Sequence, residues 1–348
     1  LGAGTLSLNR KTRCAIIGLG NIASNIDDDP LRTIIWSHAK AYTIHPRFEI
    51  VAVSDTSELR LSEFQAKWGR GSINTYTDIR KLMTEERVDV VSICTPSNTH
   101  FEIIKILSDY KLKAIFCEKP FVENVNEGEL AVRLCASSSI ALAVNYMRRW
   151  DSLYIHAKRL LESNSIGRLD SIVAYAPTAL MTSGSHIIDM MCFLAGDPAW
   201  VFGELQEDFV REVHGVSDPG GIAFIKFKNG ATGFLKSTSA TPRHYMFEID
   251  LLGKEGRIRL SDDGREIDVW RFCDVPTSTG AGFLSLVKDE GSSSKYKNER
   301  MLHALDNILD AIDTGAKLAS DGESALLSLR LIDAIKRSNE LGGVKVFV

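Results

Sequence analysis

The 348 residues are too many for one ordinary hydrophobic core and predict two domains of roughly 120 to 200 residues each. With 44% hydrophobic and 25% charged residues the composition is that of a globular chain, not a disordered one. The net charge of −4, 41 Lys plus Arg against 45 Asp plus Glu scattered along the chain, argues against a nucleic-acid groove or a polybasic membrane patch.

No stretch approaches the roughly 18 uninterrupted apolar residues of a membrane-spanning helix, and no basic-then-apolar segment opens the sequence. Six cysteines, Cys14, Cys94, Cys117, Cys135, Cys192 and Cys273, are far apart and never in C-x-x-C spacing. They read as reduced core thiols of a cytoplasmic protein.

From residue 13 to 145, short apolar runs ("RCAIIG", "FEIVAVSD", "VDVVSICTP", "KAIFCEKP", "IALAVNY") alternate with helical patterns such as 99–110 and 126–138. Continuous β-branched runs of this kind are parallel strands buried on both faces, so residues 1–148 are expected to form a doubly wound α/β domain.

Within it, "CAIIGLGNIAS" puts Gly18 and Gly20, then Ala23, directly after a strand. Glycines there let the backbone turn sharply and approach a pyrophosphate, with donors and a positive dipole end from the next helix, whose first residues are Asn21 and Ile22. The second strand ends in Asp55, placed to accept hydrogen bonds from adenosine ribose hydroxyls. Gly20 and Asp55 are 35 residues apart against the roughly 20 expected, which marks an insertion of about fifteen in "SNIDDDPLRTIIWSH". Its three aspartates would repel a pyrophosphate, and the spacing for a calcium loop is absent, so a solvated loop is expected. Arg60 is the nearest base to Asp55, and with no cation right after the strand NAD is favoured over NADP.

"CTPSNTH" (94–100) and "CEKP" (117–120) follow the third and fourth strands, at the strand ends where open α/β sheets bind ligands. Pro120 restricts Lys119 to extended geometry and permits a cis bond, which can aim the side chain into a cleft; alone, the pair reads equally as a surface lysine beside a turn proline.

After about residue 150 the texture changes to one or two helices and then to "LDSIVAYA", "GGIAFIKF", "GATGFLKSTS", "MFEIDLLG" and "GRIRL", with hairpin turns at 228–230 and 253–256. Residues 149–348 are expected to form an α+β domain with an open-faced, mostly antiparallel sheet, one face free for a subunit or substrate. Two helices at 298–313 and 321–338 and a strand in "VKVFV" close it, and these last segments can pack back on the first domain. The stretch 276–295 reads as a loop.

"TALMTSGSHIIDM" (178–190) opens one of the helices. Ser183 or Ser185 can cap it, and Ile187, Ile188, Met190 and Met191 seat it in a core. His186 then lies in the first turn, where the positive dipole end favours the neutral form a base needs. Asp189, one turn on, can orient the imidazole or bind a substrate hydroxyl. The bland reading is a capped, core-facing histidine; a metal site lacks a third ligand.

Taken in order, Gly18-x-Gly20, Asp55, "TPSNTH", "EKP", "NYMRRWD" and "GSHIID" resemble the glucose-fructose oxidoreductase, inositol dehydrogenase and rhizopine-catabolism (Gfo/Idh/MocA) family. The resemblance covers essentially the whole chain, and "EKP" is its most specific element. It implies a Rossmann-type N-terminal domain, an open-faced sheet that commonly forms the subunit contact of a homodimer or homotetramer, and NAD-dependent hydride transfer at a sugar carbinol carbon. It further implies that Lys119 reaches the substrate hydroxyl, that Thr95, Pro96, Asn98, His100 and Glu118 line the cofactor, and that His186 is the acid/base. Asn145 is placed at the nicotinamide end and Arg149 at cofactor or substrate. Many relatives carry an aspartate four residues before the histidine; here it is Thr182, which argues against inositol more than against catalysis.

Arg149, Arg243, His244 and Tyr245 are cationic and aromatic groups that can grip a diphosphate and a base. The substrate expected is therefore a nucleotide-linked sugar, similar to UDP-N-acetylglucosamine or its uronic acid oxidised at the 3-hydroxyl, bound by Lys119, Arg149, Thr182, His186, Asp189, Arg243 and Tyr245. The alternatives are a free sugar, inositol or sugar acid, and a non-catalytic NAD-binding sensor, against which the joint presence of Lys119 and His186 argues.

Overall fold

Five aliphatic runs, TRCAII, FEIVAVS, VVSI, AIFC and ALAV, are buried along most of their length and become strands of one parallel sheet. A computed structural model of the chain describes residues 10–69, 72–208, 210–213, 216–237, 246–277, 282–295 and 299–348. It divides into two compact units, Leu1–Asn145 with Met301–Gly322, and Tyr146–Arg300 with Glu323–Val348. Among the described residues no helix is long and apolar enough to cross a membrane.

The first unit carries β1 (Thr12–Ile17), α1 (His38–Ile44), β2 (Phe48–Ser54), α2 (Glu58–Phe64), β3 (Asn74–Tyr76), α3 (Ile79–Glu85), β4 (Val90–Ile93), α4 (His100–Leu107), β5 (Ala114–Cys117), α5 (Val125–Ser137) and β6 (Ala141–Val144). The strands run parallel in the order β3-β2-β1-β4-β5-β6, so the chain reverses direction across the sheet between β1 and β4. That is the doubly wound Rossmann arrangement, whose ligand crevice lies beyond the strand C-termini. Ser37, Ser57, Asp78 and Asn124 each accept a hydrogen bond from a backbone N–H in the first turn of α1, α2, α3 and α5, which sets where those helices begin.

The regular helix expected directly after the glycine turn is absent. Asn21–Asn25 form a single π-helical turn and Ile26–Asp28 a 3-10 turn, and the first α-helix starts only at His38. Pro30 ends the helical path, and Asp27 draws the insertion back. Its carboxylate accepts from the N–H of Trp36 and Ser37 and from Ser37 Oγ at 2.9, 2.8 and 2.7 Å. Of the three aspartates only Asp28 and Asp29 stay exposed, Asp28 pairing with Lys67 at 2.6 Å.

Met301–Gly322 completes this unit. Val144 N–H donates to Ser320 O at 3.0 Å, Ser320 Oγ donates to Val144 O at 2.7 Å, and Asp306 meets His45 Nε2 at 3.0 Å.

The second unit holds α6 (Ser152–Glu162), β7 (Leu169–Tyr175), α7 (Gly184–Ala195), β8 (Pro198–Leu205), β9 (Arg211–Val213), β10 (Val216–Asp218), β11 (Gly221–Phe227), β12 (Thr232–Ser237), β13 (Glu248–Gly253), β14 (Gly256–Ser261), β15 (Glu266–Pro276), β16 (Leu284–Lys288) and β17 (Ser294–Lys295). α8 (Arg300–Thr314) leaves it, and α9 (Gly322–Glu340) and β18 (Val346–Phe347) return to it. The large sheet runs β16-β15-β14-β13-β7-β12-β11-β8-β18, antiparallel except where β12 lies parallel to β7, and β17 pairs with β15. The segment read as a loop therefore contributes β16 and β17. Its strand signal is weak because an edge strand with both faces wet shows no alternation of burial.

One face of this sheet is the core, with Ile187, Ile188, Met190 and Met191 of α7 packed among strand residues such as Ile172, Ile225 and Leu251. A side chain at Gly203 would come 2.8 Å from Ile335, so α9 lies directly on β8. The other face exposes Phe202, Ile222 and Phe234, with ring centroids of Phe224 and Phe234 5.2 Å apart.

Candidate functional site

Five parallel strands of the first unit deliver the expected cofactor residues to one edge. Gly18 adopts φ +82, and a Cβ there would sit 2.6 Å from Thr95 Cγ2 and 2.8 Å from Thr95 N, so only glycine fits where the β1 and β4 turns meet. A Cβ at Gly20 would meet nothing within 4 Å, which leaves its backbone open to a ligand. Asn21 is exposed and Ile22 half-buried beside it.

Asp55 is buried, accepts from Leu19 N at 2.7 Å and Ser57 N at 2.9 Å, and has Arg60 Nη1 3.7 Å away. It thus ties the glycine turn to β2 while its carboxylate keeps lone pairs for ribose hydroxyls.

Thr95, Pro96 and Asn98 lie in the turn after β4, Pro96 and Asn98 exposed. His100 differs from its expected place at the cofactor. It is 1% exposed, its Nε2 stands 2.8 Å from Thr95 O and its Nδ1 3.0 Å from Phe121 O, so it pins the two strand-end turns together.

Glu118 is the centre of this half. Its Oε1 accepts from His38 Nε2 at 3.0 Å and Asn145 Nδ2 at 2.6 Å, and its Oε2 accepts from Lys119 N at 3.2 Å. Burial works to raise the carboxyl, yet the hydrogen bond from His38, the Lys119 ammonium and the hydrogen bond from Asn145 outweigh it and hold Glu118 below the ordinary glutamate range. The Lys119–Pro120 peptide is cis, and Lys119 is half-buried. Among the described residues, Asn145 Oδ1 is buried without a hydrogen-bond donor. That orphan acceptor, the open backbone at Gly20 and the acid at Asp55 fit a dinucleotide: Gly18 to Ile22 would take the pyrophosphate, Asp55 the adenosine ribose, and Asn145 the carboxamide of the nicotinamide.

In the second unit α7 begins at Gly184 and puts His186 in its first turn, half-buried, with the imidazole edge-on to Tyr146 at 5.6 Å between ring centroids. Neither serine caps the helix as expected. Ser183 has helical dihedrals and makes no side-chain cap, and Ser185 Oγ donates back to Thr182 O at 2.9 Å. Asp218 anchors the turn, accepting from Met181 N at 2.8 Å and Thr182 N at 2.9 Å. Thr182 is thereby held in the turn before His186.

Asp189 and Arg149 are not where the sequence reading puts them. Asp189 is fully buried and its carboxylate accepts from Arg149 Nε at 3.0 and 2.8 Å and from Ser328 Oγ at 3.0 Å. Burial pushes this carboxyl above the ordinary aspartate range against the pull of Arg149. The Asp189 carboxylate is thus held by Arg149 and Ser328, where the sequence reading expects the imidazole or a substrate hydroxyl, and the Arg149 Nε is committed to Asp189. Arg243, His244 and Tyr245 lie outside the described residues.

Residues the sequence reading missed are His38, Ser92 and Asp218. His38 sits 80 positions from Glu118 and Ser92 54 from His38, separations at which no local pattern connects them.

Residues 12–146 match the profile described as "Oxidoreductase family, NAD-binding Rossmann fold", and residues 174–259 match the GFO/IDH/MocA C-terminal domain. The chain is 26% identical over 344 residues to the myo-inositol 2-dehydrogenase of Thermotoga maritima, covering 94% of this chain and 96% of that protein. It is 26% identical over 270 residues to the scyllo-inositol 2-dehydrogenase (NAD(+)) of Bacillus subtilis, 72% of this chain and 74% of that one. Among solved structures, the WlbA dehydrogenase from Bordetella pertussis in complex with NADH and UDP-GlcNAcA superposes with a TM-score of 0.79 at 22% identity, over 97% of this chain and 99% of that one.

Proposed function

Since the chain belongs to the Gfo/Idh/MocA family of NAD-binding oxidoreductases, we propose that it is a dehydrogenase of a polyhydroxylated ring, converting one ring carbinol to a ketone, with Lys119 and His186 as its catalytic residues. The observation that carries the reading is the row of Gly18, Gly20, Asp55, Thr95, Glu118, Lys119 and Asn145 at the C-terminal ends of parallel strands. Bound NAD supplies the hydride acceptor. His186 takes the hydroxyl proton, and the Lys119 ammonium steadies the developing alkoxide. Thr182 contributes a hydroxyl, not a charge, to the substrate.

A free sugar or cyclitol is favoured over the nucleotide-linked sugar. Of the cations expected to grip a diphosphate, Arg149 is paired with Asp189 and Arg243 lies outside the described residues, and inositol dehydrogenases align along most of the chain. The exposed Phe202, Ile222 and Phe234 face of the large sheet is the surface on which a second copy associates.

The test is reduced-nicotinamide absorbance with NAD and, separately, myo-inositol, scyllo-inositol, glucose, UDP-N-acetylglucosamine and its uronic acid, each with a ketone trap. Turnover with a free ring, lowered about 10²-fold or more in Lys119→Ala and His186→Ala, is the expected result. Turnover confined to a nucleotide sugar reverses the substrate preference. NADH binding with no turnover on any of these or on a wider sugar panel moves the chain to the sensor reading.

A further inference from the structure

A buried polar chain runs from Tyr42 through Ser92 and His38 to Glu118 and Asn145. The Glu118 carboxylate can only accept, so His38 must carry its proton on Nε2 and Asn145 must turn its amide nitrogen toward Glu118. In the neutral imidazole Nδ1 of His38 accepts from Ser92 Oγ at 2.9 Å, and Ser92 in turn accepts from the Tyr42 hydroxyl at 2.8 Å. Burial keeps that phenol protonated, well above its ordinary range, which agrees with its role as donor. The outcome for Asn145 is fixed: its Oδ1 faces away from Glu118, buried and without a donor among the described residues.

His38 is the first residue of α1, and α1 starts where it does because Asp27 of the insertion binds Trp36 N, Ser37 N and Ser37 Oγ. We propose that the 24–38 insertion is a positioning device for the nicotinamide end of the cofactor: Asp27 seats His38, His38 fixes Glu118, and Glu118 fixes Asn145 Oδ1 as the carboxamide acceptor. His38 and Asp27 are positioning residues; neither touches the cofactor. Topology places the effect, because Asp55, directly after β2, would take the adenosine ribose and β5 and β6 lie on the opposite side of β1.

The inference rests on the NAD reading of this unit and is tested by binding, not turnover. Dissociation constants for NADH, by its fluorescence, and for ADP-ribose, which lacks the nicotinamide, are measured by titration of the whole chain and of His38→Ala, His38→Gln, Asp27→Ala and Leu31→Ala. Leu31 is 86% exposed and serves as the insertion control. His38→Ala and Asp27→Ala are expected to weaken NADH about tenfold, the scale of one hydrogen bond to a buried charge, while ADP-ribose binding stays within twofold. His38→Gln, whose amide can still donate to Glu118, recovers most of the loss, and Leu31→Ala has none. Equal weakening of both ligands, or unchanged NADH binding in folded His38→Ala or, if that variant does not fold, in Asp27→Ala, overturns the proposal. Failure of the unaltered chain to bind either ligand defeats the cofactor reading itself and is seen before any variant is made.

Discussion

Arg149 directs its Nε at both carboxylate oxygens of Asp189, 3.0 and 2.8 Å away, at a depth where Asp189 has no exposed surface. Removing one partner strands the other charge, so Asp189→Ala should cost about 3–5 kcal/mol. Thermal melting should show a marked drop for Asp189→Ala and a smaller one for the double change Arg149→Met with Asp189→Leu, which buries no charge. A double variant as unstable as the single one would show that the ion pair is not what that site depends on.

Glu118 makes the stability of the first unit sensitive to acid. Its carboxyl is held below the ordinary glutamate range, so its contribution is complete above that range and is lost as pH falls toward and through its folded value. Urea midpoints of the unaltered chain and of Glu118→Gln should differ most near neutral pH and converge only once the pH has fallen through the lowered folded value, where the unaltered side chain also becomes neutral. A difference that stays constant with pH would remove the charge from the explanation.

The two glycines of the β1 turn should behave differently. Gly18→Ala forces a Cβ against Thr95 from a left-handed backbone and should destabilise by more than about 1 kcal/mol. Gly20→Ala meets no protein atom and should leave the melting temperature unchanged while weakening NADH. Calorimetry and titration of both variants separate the effects; a Gly20→Ala protein with full affinity would mean no ligand approaches there.

Phe234, 47% exposed among neighbouring rings, predicts self-association through the outer sheet face. Light scattering should give a mass above the 38.5 kDa of one chain, falling to that value in Phe234→Glu. A monomer before substitution would refute this assignment.

Periodicity made the fold legible where burial is one-sided or complete. The strand runs of the first unit and "GGIAFIKF", "GATGFLKSTS" and "GRIRL" in the second announce themselves because nearly every inward position is apolar, the buried Ser54, Ser92 and Ser237 aside. β16, wet on both faces, had nothing to alternate. In the candidate site, residues next to a glycine turn or a strand end were found from local spacing, as Gly18, Asp55 and Glu118 were. His38 could not be found that way. A histidine in an apolar helix start reads as core, and its meaning comes from Ser92 and Glu118, which only the parallel sheet brings to it. Asp189 misled because, one helical turn from His186, it reads as that residue's partner, whereas its carboxylate is paired with Arg149, 40 residues away.

The return of Met301–Gly322 to the first unit has a practical meaning for dissection of the chain. Truncation after residue 145 would not isolate a domain. It would strip the Val144 edge of its Ser320 partner and leave His45 without Asp306. An autonomous nucleotide-binding fragment has to be rebuilt by splicing 301–322 behind 145 through a linker, because the polypeptide passes between its two units three times and no single cut separates them.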